Sequence, residues 1–163
     1  MKISLIPFDL NKEVEWNSYL KEFMTYISET CSKDDNYSEL ISYLNSEGYK
    51  MDTLAVINRD SNPFNVMRIY AEEIIVGFID YICYVDEDGK CIIGNFYIYP
   101  DFRNQGIGTE CYRLAEVQLR IAGGKFVEIT PEEKAINLYV RMGYYKTEKV
   151  SSDNGLPIYR KEL

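Results

Sequence analysis

The residues with the clearest chemistry lie in one stretch, Tyr97-Ile-Tyr-Pro-Asp-Phe-Arg-Asn-Gln-Gly-Ile-Gly108. An apolar strand is expected to end at Pro100, and a loop with Gly106 and Gly108 then opens directly into a helix. Backbone N–H groups at a helix N-terminus and the helix dipole together attract anions, and glycine lets the backbone approach phosphate closely. Because Arg103 adds a positive charge, the stretch predicts a diphosphate-binding loop.

Two other glycine-rich loops do not match this stretch. A dinucleotide-binding fingerprint needs a third glycine at position 111, which is Cys111. A Walker A loop ends in Gly-Lys followed by Ser or Thr, whereas Gly108 is followed by Thr109-Glu110. For an isolated G-x-G sequence, a turn that binds no ligand remains an open alternative.

A second motif further along the chain supports the ligand-binding interpretation. It reads Ala135-Ile-Asn-Leu-Tyr139, followed by Gly143-Tyr144. Together with Arg103-x-x-Gly106-x-Gly108, it resembles the paired signature of the GNAT family of N-acetyltransferases, in which an acetyl-coenzyme A loop precedes A-x-x-L-Y and G-F/Y. These motifs cover residues 92–145, and the N-terminal half resembles the family only in the order of its elements.

The resemblance implies where the acyl donor, acetyl-CoA, binds. In the family, the pantetheine arm runs beside the fourth strand like an added strand, which here maps to Phe96, Tyr97 and Ile98. The diphosphate rests on successive backbone amides beside the loop arginine, Arg103. Here those amides belong to Asn104, Gln105, Gly106, Ile107, Gly108 and Thr109.

The implied activity is an acyltransferase reaction of the acetyl-CoA-dependent N-acetyltransferase type. A primary amine of a small molecule or a peptide attacks the thioester directly, through a tetrahedral intermediate whose oxyanion a backbone amide could hold. Tyr139 matches the family tyrosine that gives a proton to the departing thiolate. Its helical spacing with Ala135 and Ile136 predicts, by itself, only a core aromatic residue.

The group that removes the amine proton is left open by the sequence. An amine with a pKa near 10 is free in only about one molecule in a thousand at pH 7, so a base is needed. Glu128 matches a glutamate used by some branches of the family, although it could equally be a solvated carboxylate. Asp80, Asn95 and Tyr97 are rivals on the middle strands.

One residue departs from the family pattern. Glu132 stands where the family often has an asparagine that contacts the cofactor. This departure is the only sequence support for an alternative function, a catalytically weak acyl-CoA-binding regulatory module with a GNAT-like fold. Another acyl-CoA, or a hydroxyl acceptor, is a further possibility.

The composition excludes several mechanisms, because the chain contains no histidine. Catalytic triads with histidine, His-ligated zinc and proximal-His haem are all ruled out, and we expect no metal. Protons must therefore move through Glu, Asp, Tyr, Lys, Cys or water.

The charge and the cysteines indicate the cellular setting. The chain has 18 Lys and Arg against 26 Asp and Glu, a net charge of −8, which argues against nucleic-acid or anionic-membrane binding and permits a cationic acceptor. The 4 cysteines form no C-x-x-C pair, and we expect neither a signal peptide at the N-terminus nor a membrane span anywhere in the sequence. We expect a cytoplasmic protein, with homodimerisation possible by analogy.

The elements that must position these residues predict an α/β (mixed α+β) fold in one domain, residues 1–163. We expect a GNAT-like, mostly antiparallel, seven-stranded mixed sheet flanked by about four helices. The helices are expected at 12–30, 37–45, 106–122 and 131–142. The strands are expected at 3–6, 66–71, 74–85, 91–99, 125–130, 144–150 and 156–160.

Several local expectations depend on single residues. Gly48 should stop the second helix, and Leu54–Ile57 should form a short strand or extended loop. Thr130 should cap a helix that begins at Pro131, with Glu133 completing a capping box.

Two further expectations concern orientation within the fold. Ile121 should face the core, at helical spacing with the other apolar residues of its helix. Pro157 cannot donate to a strand ladder, so the last strand should lie at a sheet edge.

Overall fold

One sheet of seven strands and five α-helices account for the fold in the computed structural model, which describes residues 1–163. This confirms the predicted mixed α/β class, with one helix more than expected. The strands are β1 (Ile3–Pro7), β2 (Asn65–Ala71), β3 (Ile74–Tyr84), β4 (Lys90–Ile98), β5 (Phe126–Ile129), β6 (Tyr145–Val150) and β7 (Pro157–Glu162). The helices are α1 (Glu13–Cys31), α2 (Tyr37–Leu44), α3 (Glu47–Ile57), α4 (Ile107–Ile121) and α5 (Ile136–Arg141).

The sheet opens in its middle. The strand order is β1-β2-β3-β4-β5-β7-β6, and only β4 and β5 are parallel. These two strands pair through just Lys90–Ile92 and Phe126–Glu128. Because β4 continues to Ile98 while β5 ends at Ile129, the strands separate and leave a cleft between them.

The two faces of the sheet carry separate apolar cores. On one face, Ala115 and Leu119 of α4 pack into a cluster with Val127 of β5. On the other face, an aromatic cluster joins α1 to the sheet, and Phe23 lies edge-on to Phe78 with ring centroids 6.0 Å apart. Each core fixes one wall of the cleft.

No helix combines the length and the apolar character that a membrane span requires.

A third helix occupies the region where the sequence predicted a helix stop and a strand. Gly48 lies in the first turn of α3, and Leu54–Ile57 form its last turn, so both expectations were wrong. Ser46 explains the helix start, because its hydroxyl accepts a hydrogen bond from the Tyr49 backbone N–H at 3.1 Å. The apolar run Leu54–Ile57 is too short to show whether its period is that of a helix or of a strand. Packing of Leu54 against the aromatic cluster decides in favour of the helix.

The helix after β5 begins later than predicted, so the capping expectation was wrong. Glu132 is extended, a single 3₁₀ turn spans Glu133–Ala135, and no side chain caps either segment. Glu132 instead pairs with Lys134 at 2.9 Å. The chain after β5 therefore stays extended as far as Glu132 and lines the cleft before it enters the 3₁₀ turn.

The predictions for Ile121 and for the last strand were also wrong. Ile121 is 82% exposed, because it lies in the final turn of α4 beyond the edge of the core. The strand β7 lies between β5 and β6, and β6 forms the edge. Pro157 is compatible with this inner position because it is the first residue of β7.

Candidate active site

A cavity of about 820 Å³ occupies the cleft between β4 and β5. Its walls come from α1, from β4, from the loop and first turn of α4, and from the segment that joins β5 to α5. It brings residues of both sequence motifs into one site. The predicted site residues that line it are Phe96, Tyr97, Ile98, Arg103, Asn104, Gly106, Gly108, Thr109 and Tyr139.

The loop before α4 presents a row of free backbone donors to this cavity. Asn104 has a φ of 60° and Gly106 a φ of 79°, so two left-handed residues turn the chain into the helix. The N–H groups from Asn104 to Thr109 donate to no backbone or side-chain acceptor in the protein. A Cβ atom on Gly106 would have nothing within 4 Å, so the loop surface is open. Backbone N–H groups arranged in this way are suited to anions, and the sequence prediction of a diphosphate site at this loop stays a prediction.

Two of the predicted loop residues, Gln105 and Ile107, do not line the cavity. The Gln105 amide donates to the Asp101 carbonyl at 3.0 Å, and Ile107 is buried in the α4 core.

Arg103 is held at the cavity wall by three contacts. Its Nε donates to the Ile98 carbonyl at 2.8 Å, and its guanidinium lies over the Tyr97 ring at 5.4 Å. Its Nη1 pairs with Glu29 Oε1 of α1 at 2.6 Å, and the Tyr97 hydroxyl donates to Glu29 Oε2 at 2.7 Å. The guanidinium and these hydrogen bonds lower the pKa of Glu29. Arg103 therefore connects the end of β4 to α1 across the cavity wall.

Tyr139 reaches the cavity from α5 and meets a second tyrosine there. Its hydroxyl lies 2.9 Å from the hydroxyl of Tyr112, a residue of α4 that also lines the cavity. Burial raises the pKa of Tyr139, while the hydrogen bond from Tyr112 acts to lower it. At neutral pH the Tyr139 phenol therefore keeps its proton and is available as an acid.

Asp80 lies buried behind the β4 wall, at a bulge. Ile79 pairs with Phe96 and Tyr81 with Ile93, so Gly94 and Asn95 together oppose Asp80. Its carboxylate accepts from the Asn95 backbone N–H at 2.8 Å and from Asn95 Nδ2 at 2.7 Å, and it forms no ion pair.

The bulge also brings the Asp80 carboxylate close to the cavity. Gly94 is exposed and lines the cavity. A Cβ atom on Gly94 would lie 2.5 Å from Asp80 Oδ1, so the carboxylate occupies the space that a side chain at position 94 would fill. Burial raises the pKa of Asp80 to about 6, although both bonds from Asn95 act to lower it.

The structure does not bring Glu128 into the cavity. Its neighbours in β5, Val127 and Ile129, point into the α4 core, so Glu128 projects from the opposite face of the sheet. There it lies across from Arg160 of β7, and its charge contributes to the raised pKa of Arg160. Of the predicted bases, Tyr97 lines the cavity, whereas Asp80 and Asn95 lie at the bulge behind the cavity wall, next to Gly94.

Sequence reasoning missed two residues that complete the walls. Tyr112 follows Gly108 by one helical turn, and this spacing predicts burial but not the hydroxyl partner. Glu29 lies in α1, far from both motifs in sequence, so only the folded chain reveals its contact with Arg103. No local signal could have found it.

Comparison with known proteins agrees with this geometry. The family model described as acetyltransferase (GNAT) family matches residues 17–144, most of the chain. The chain belongs to the GNAT acetyltransferase family. A comparison with curated protein sequences gives no match.

Solved structures of GNAT proteins share the fold at low sequence identity. The PaiA N-acetyltransferase of Thermoplasma acidophilum, solved with coenzyme A, has a TM-score of 0.71 at 12% identity, with 100% of both chains covered. Tetrahymena GCN5 has a TM-score of 0.67 at 10% identity, covering 100% of this chain and 96% of that one. An aminoglycoside 6′-N-acetyltransferase, solved with coenzyme A, has a TM-score of 0.61 at 15% identity, covering 99% of this chain and 97% of that one.

Proposed function

We propose that this GNAT protein is an acetyl-CoA-dependent N-acetyltransferase that acts on a primary amine of a small molecule or a peptide. The observation that carries the proposal is that Asn104, Gly106, Gly108 and Thr109, whose backbone N–H groups are free, line the same cavity as Tyr139. One wall offers an anion site and the facing wall offers a proton donor, as transfer from an acyl-CoA requires.

The loop before α4 fits the diphosphate of coenzyme A. Its free N–H groups and the dipole of the 15-residue helix α4 favour two adjacent negative charges. The open space at Gly106 lets phosphate oxygens approach the backbone. Beyond Ile92, the side of β4 that faces β5 has no strand partner, so Phe96–Ile98 can pair with an extended arm. Arg103 already occupies the Ile98 carbonyl and limits that pairing.

Bound acetyl-CoA supplies an activated acyl thioester. Tyr139 donates a proton to the departing sulfur, since its phenol keeps its proton at neutral pH and faces the cavity. Two structures solved with coenzyme A, those of PaiA and the aminoglycoside acetyltransferase, support the choice of donor.

We assign proton removal from the amine to Asp80 rather than to Glu128. A carboxylate whose pKa is about 6 is ionised at neutral pH and is a better base than an ordinary aspartate. The Asp80 carboxylate lies directly behind Gly94, which lines the cavity, so we infer that the proton passes to Asp80 at this position. Glu128 lies across from Arg160 of β7, and neither it nor its β5 neighbour Val127 lines the cavity.

Charge and chemistry support the choice of acceptor class. Glu29 and Glu132 line the cavity but pair with Arg103 and Lys134, which also line it, so the net charge of −8 is the feature that favours the approach of a cation. One of the similar structures is an aminoglycoside 6′-N-acetyltransferase, and its name indicates a cationic acceptor. Four free cysteines, three of them buried, fit the predicted cytoplasmic location, and a homodimer remains an expectation by analogy.

Release of the coenzyme A thiol in the presence of acetyl-CoA and a panel of amines tests the function. Tyr139→Phe should lower kcat by about 10²–10⁴-fold, because the acid is lost, and leave the Kd for coenzyme A unchanged. Tyr145→Phe is the matched control, since Tyr145 lies on the edge strand β6 and its hydroxyl bonds Glu162 at 3.1 Å. Tight coenzyme A binding without turnover of any amine would contradict the enzyme and favour a binding module.

A further inference from the structure

Tyr112 is a buried polar residue that neither sequence motif includes. It lies on α4 with 4% of its surface exposed, and its ring stands edge-on to Phe96 at 5.0 Å and to Tyr139 at 5.2 Å. Its hydroxyl makes one hydrogen bond in the protein, at 2.9 Å to the Tyr139 hydroxyl. An aromatic residue needed only for packing would not require that hydroxyl.

The surroundings of the pair decide which hydroxyl donates. A buried hydroxyl proton needs an acceptor, and the Tyr139 oxygen is the only one that Tyr112 contacts. Both residues line the cavity, but Tyr139 is the less buried of the two, so its own proton can point into the cavity. Tyr112 therefore donates to Tyr139, and Tyr139 keeps a proton to give.

This direction also decides where negative charge rests after the proton leaves. Burial raises the pKa of Tyr112 well above its ordinary value, so Tyr112 is the poorer anion of the two. The bond that Tyr139 accepts stabilises its phenolate and acts to lower the pKa of Tyr139. The charge thus stays on the residue that faces the cavity, where solvent can return a proton.

We propose that Tyr112 is a positioning residue for the acid: its hydroxyl donates to the Tyr139 oxygen, aims the Tyr139 proton into the cavity and stabilises the phenolate left behind. In this step the O–H bond of Tyr139 breaks, an S–H bond forms on the departing thiolate, and the O–H bond of Tyr112 stays intact. The inference rests on the proposed acid role of Tyr139. It assigns the tyrosine pair, rather than Tyr139 alone, to proton delivery.

A double-mutant cycle tests the inference. Tyr112→Phe keeps the ring and its packing and should lower kcat by about 10- to 100-fold, as expected for a lost hydrogen bond to a charged oxygen, with the KM for acetyl-CoA unchanged. In a Tyr139→Phe background, the same change should cost no further rate, because Tyr112 acts only through Tyr139.

Tyr81→Phe is the matched control. Tyr81 is as buried as Tyr112, its hydroxyl donates to Gln118 of α4, and it does not line the cavity. Loss of the Tyr81 hydroxyl should leave kcat unchanged, although it perturbs α4 to a degree similar to that of Tyr112→Phe.

Each other result overturns the inference in a distinguishable way. An unchanged kcat in Tyr112→Phe, with a large loss in Tyr139→Phe, rejects Tyr112 and leaves the proposed function intact. An equal further loss in the double variant shows that Tyr112 acts independently of Tyr139. A normal rate in Tyr139→Phe rejects the acid role itself, and the role of Tyr112 falls with it.

Discussion

At the scale of single residues, Asp80 lowers the stability of the fold that holds it. Its carboxylate is buried, has no cation beside it and keeps only the two hydrogen bonds from Asn95. Since its pKa rises from 3.8 to about 6 on folding, the folded chain holds the Asp80 proton more tightly than the unfolded chain. The stabilisation that this proton gives is present below pH 3.8 and is lost as the pH rises through about 6.

Asp80→Asn should therefore make the protein more stable and less active at pH 8. The amide removes the buried charge, so we expect the free energy of unfolding to rise by about 1–3 kcal/mol, while kcat falls. Urea denaturation at pH 8 and at pH 4 measures the effect, and most of the gain should be lost at pH 4, where the folded state holds the proton and about half of the unfolded chains do.

The exposed Asp153→Asn in the C-terminal turn is the control and should change neither quantity. A loss of stability in Asp80→Asn at pH 8 would show that the charge is better compensated than its surroundings indicate.

At the scale of elements, the loop before α4 depends on a glycine for its conformation and for its open surface. Gly106 and Gly155 form a matched pair: their φ angles are 79° and 67°, and a Cβ on either would have nothing within 4 Å. Only Gly106 lines the cavity, whereas Gly155 lies in the turn between β6 and β7. The two sites share the same backbone strain and differ in function.

Gly106→Ala and Gly155→Ala should lower stability alike and affect coenzyme A differently. An alanine in the left-handed region costs about 1–2 kcal/mol at either site. At Gly106 the methyl group also enters the phosphate surface, so we expect the Kd for coenzyme A to rise at least about 10-fold, against no change for Gly155→Ala. Calorimetric titration with coenzyme A and thermal unfolding measure the two effects. Equal affinities in both variants would place the phosphates elsewhere.

Elements with strong local signals could be predicted from the sequence, and elements decided by packing could not. Gly106, Gly108 and the following apolar periodicity located α4 within one residue at each end. The helix α3 was missed because Gly48 resembles a helix stop. In the structure Gly48 lies in the first turn of α3, where a glycine costs the helix little stability. The position of β7 inside the sheet depends on long-range pairing with β5, for which Pro157 gave the opposite local signal.

At the scale of the whole molecule, the site exists because the sheet and both of its covering layers meet at one cleft. Asp80 comes from β3, Tyr112 from α4 and Tyr139 from α5. The sequence paired the two motifs by resemblance to a family, so it placed Tyr139 beside the cofactor loop. It could not rank Asp80 above Glu128, because the difference lies in a bulge that only strand register reveals and in the pairing that sets Glu128 across from Arg160 of β7.

The absence of histidine across the whole chain makes the acid side of the pH–rate profile diagnostic. No imidazole titrates near pH 6.5, so a fall in kcat below about pH 6 should report protonation of Asp80. With both substrates saturating, Asp80→Asn should lower kcat by about 10²–10⁴-fold at pH 8. It should also remove the fall in kcat at acidic pH, so that the kcat of the variant changes less than that of the native enzyme between pH 8 and pH 5. Glu128→Gln should keep both the rate and the fall at acidic pH. The reverse pattern would return the role of base to Glu128 and leave the buried charge of Asp80 without a catalytic purpose.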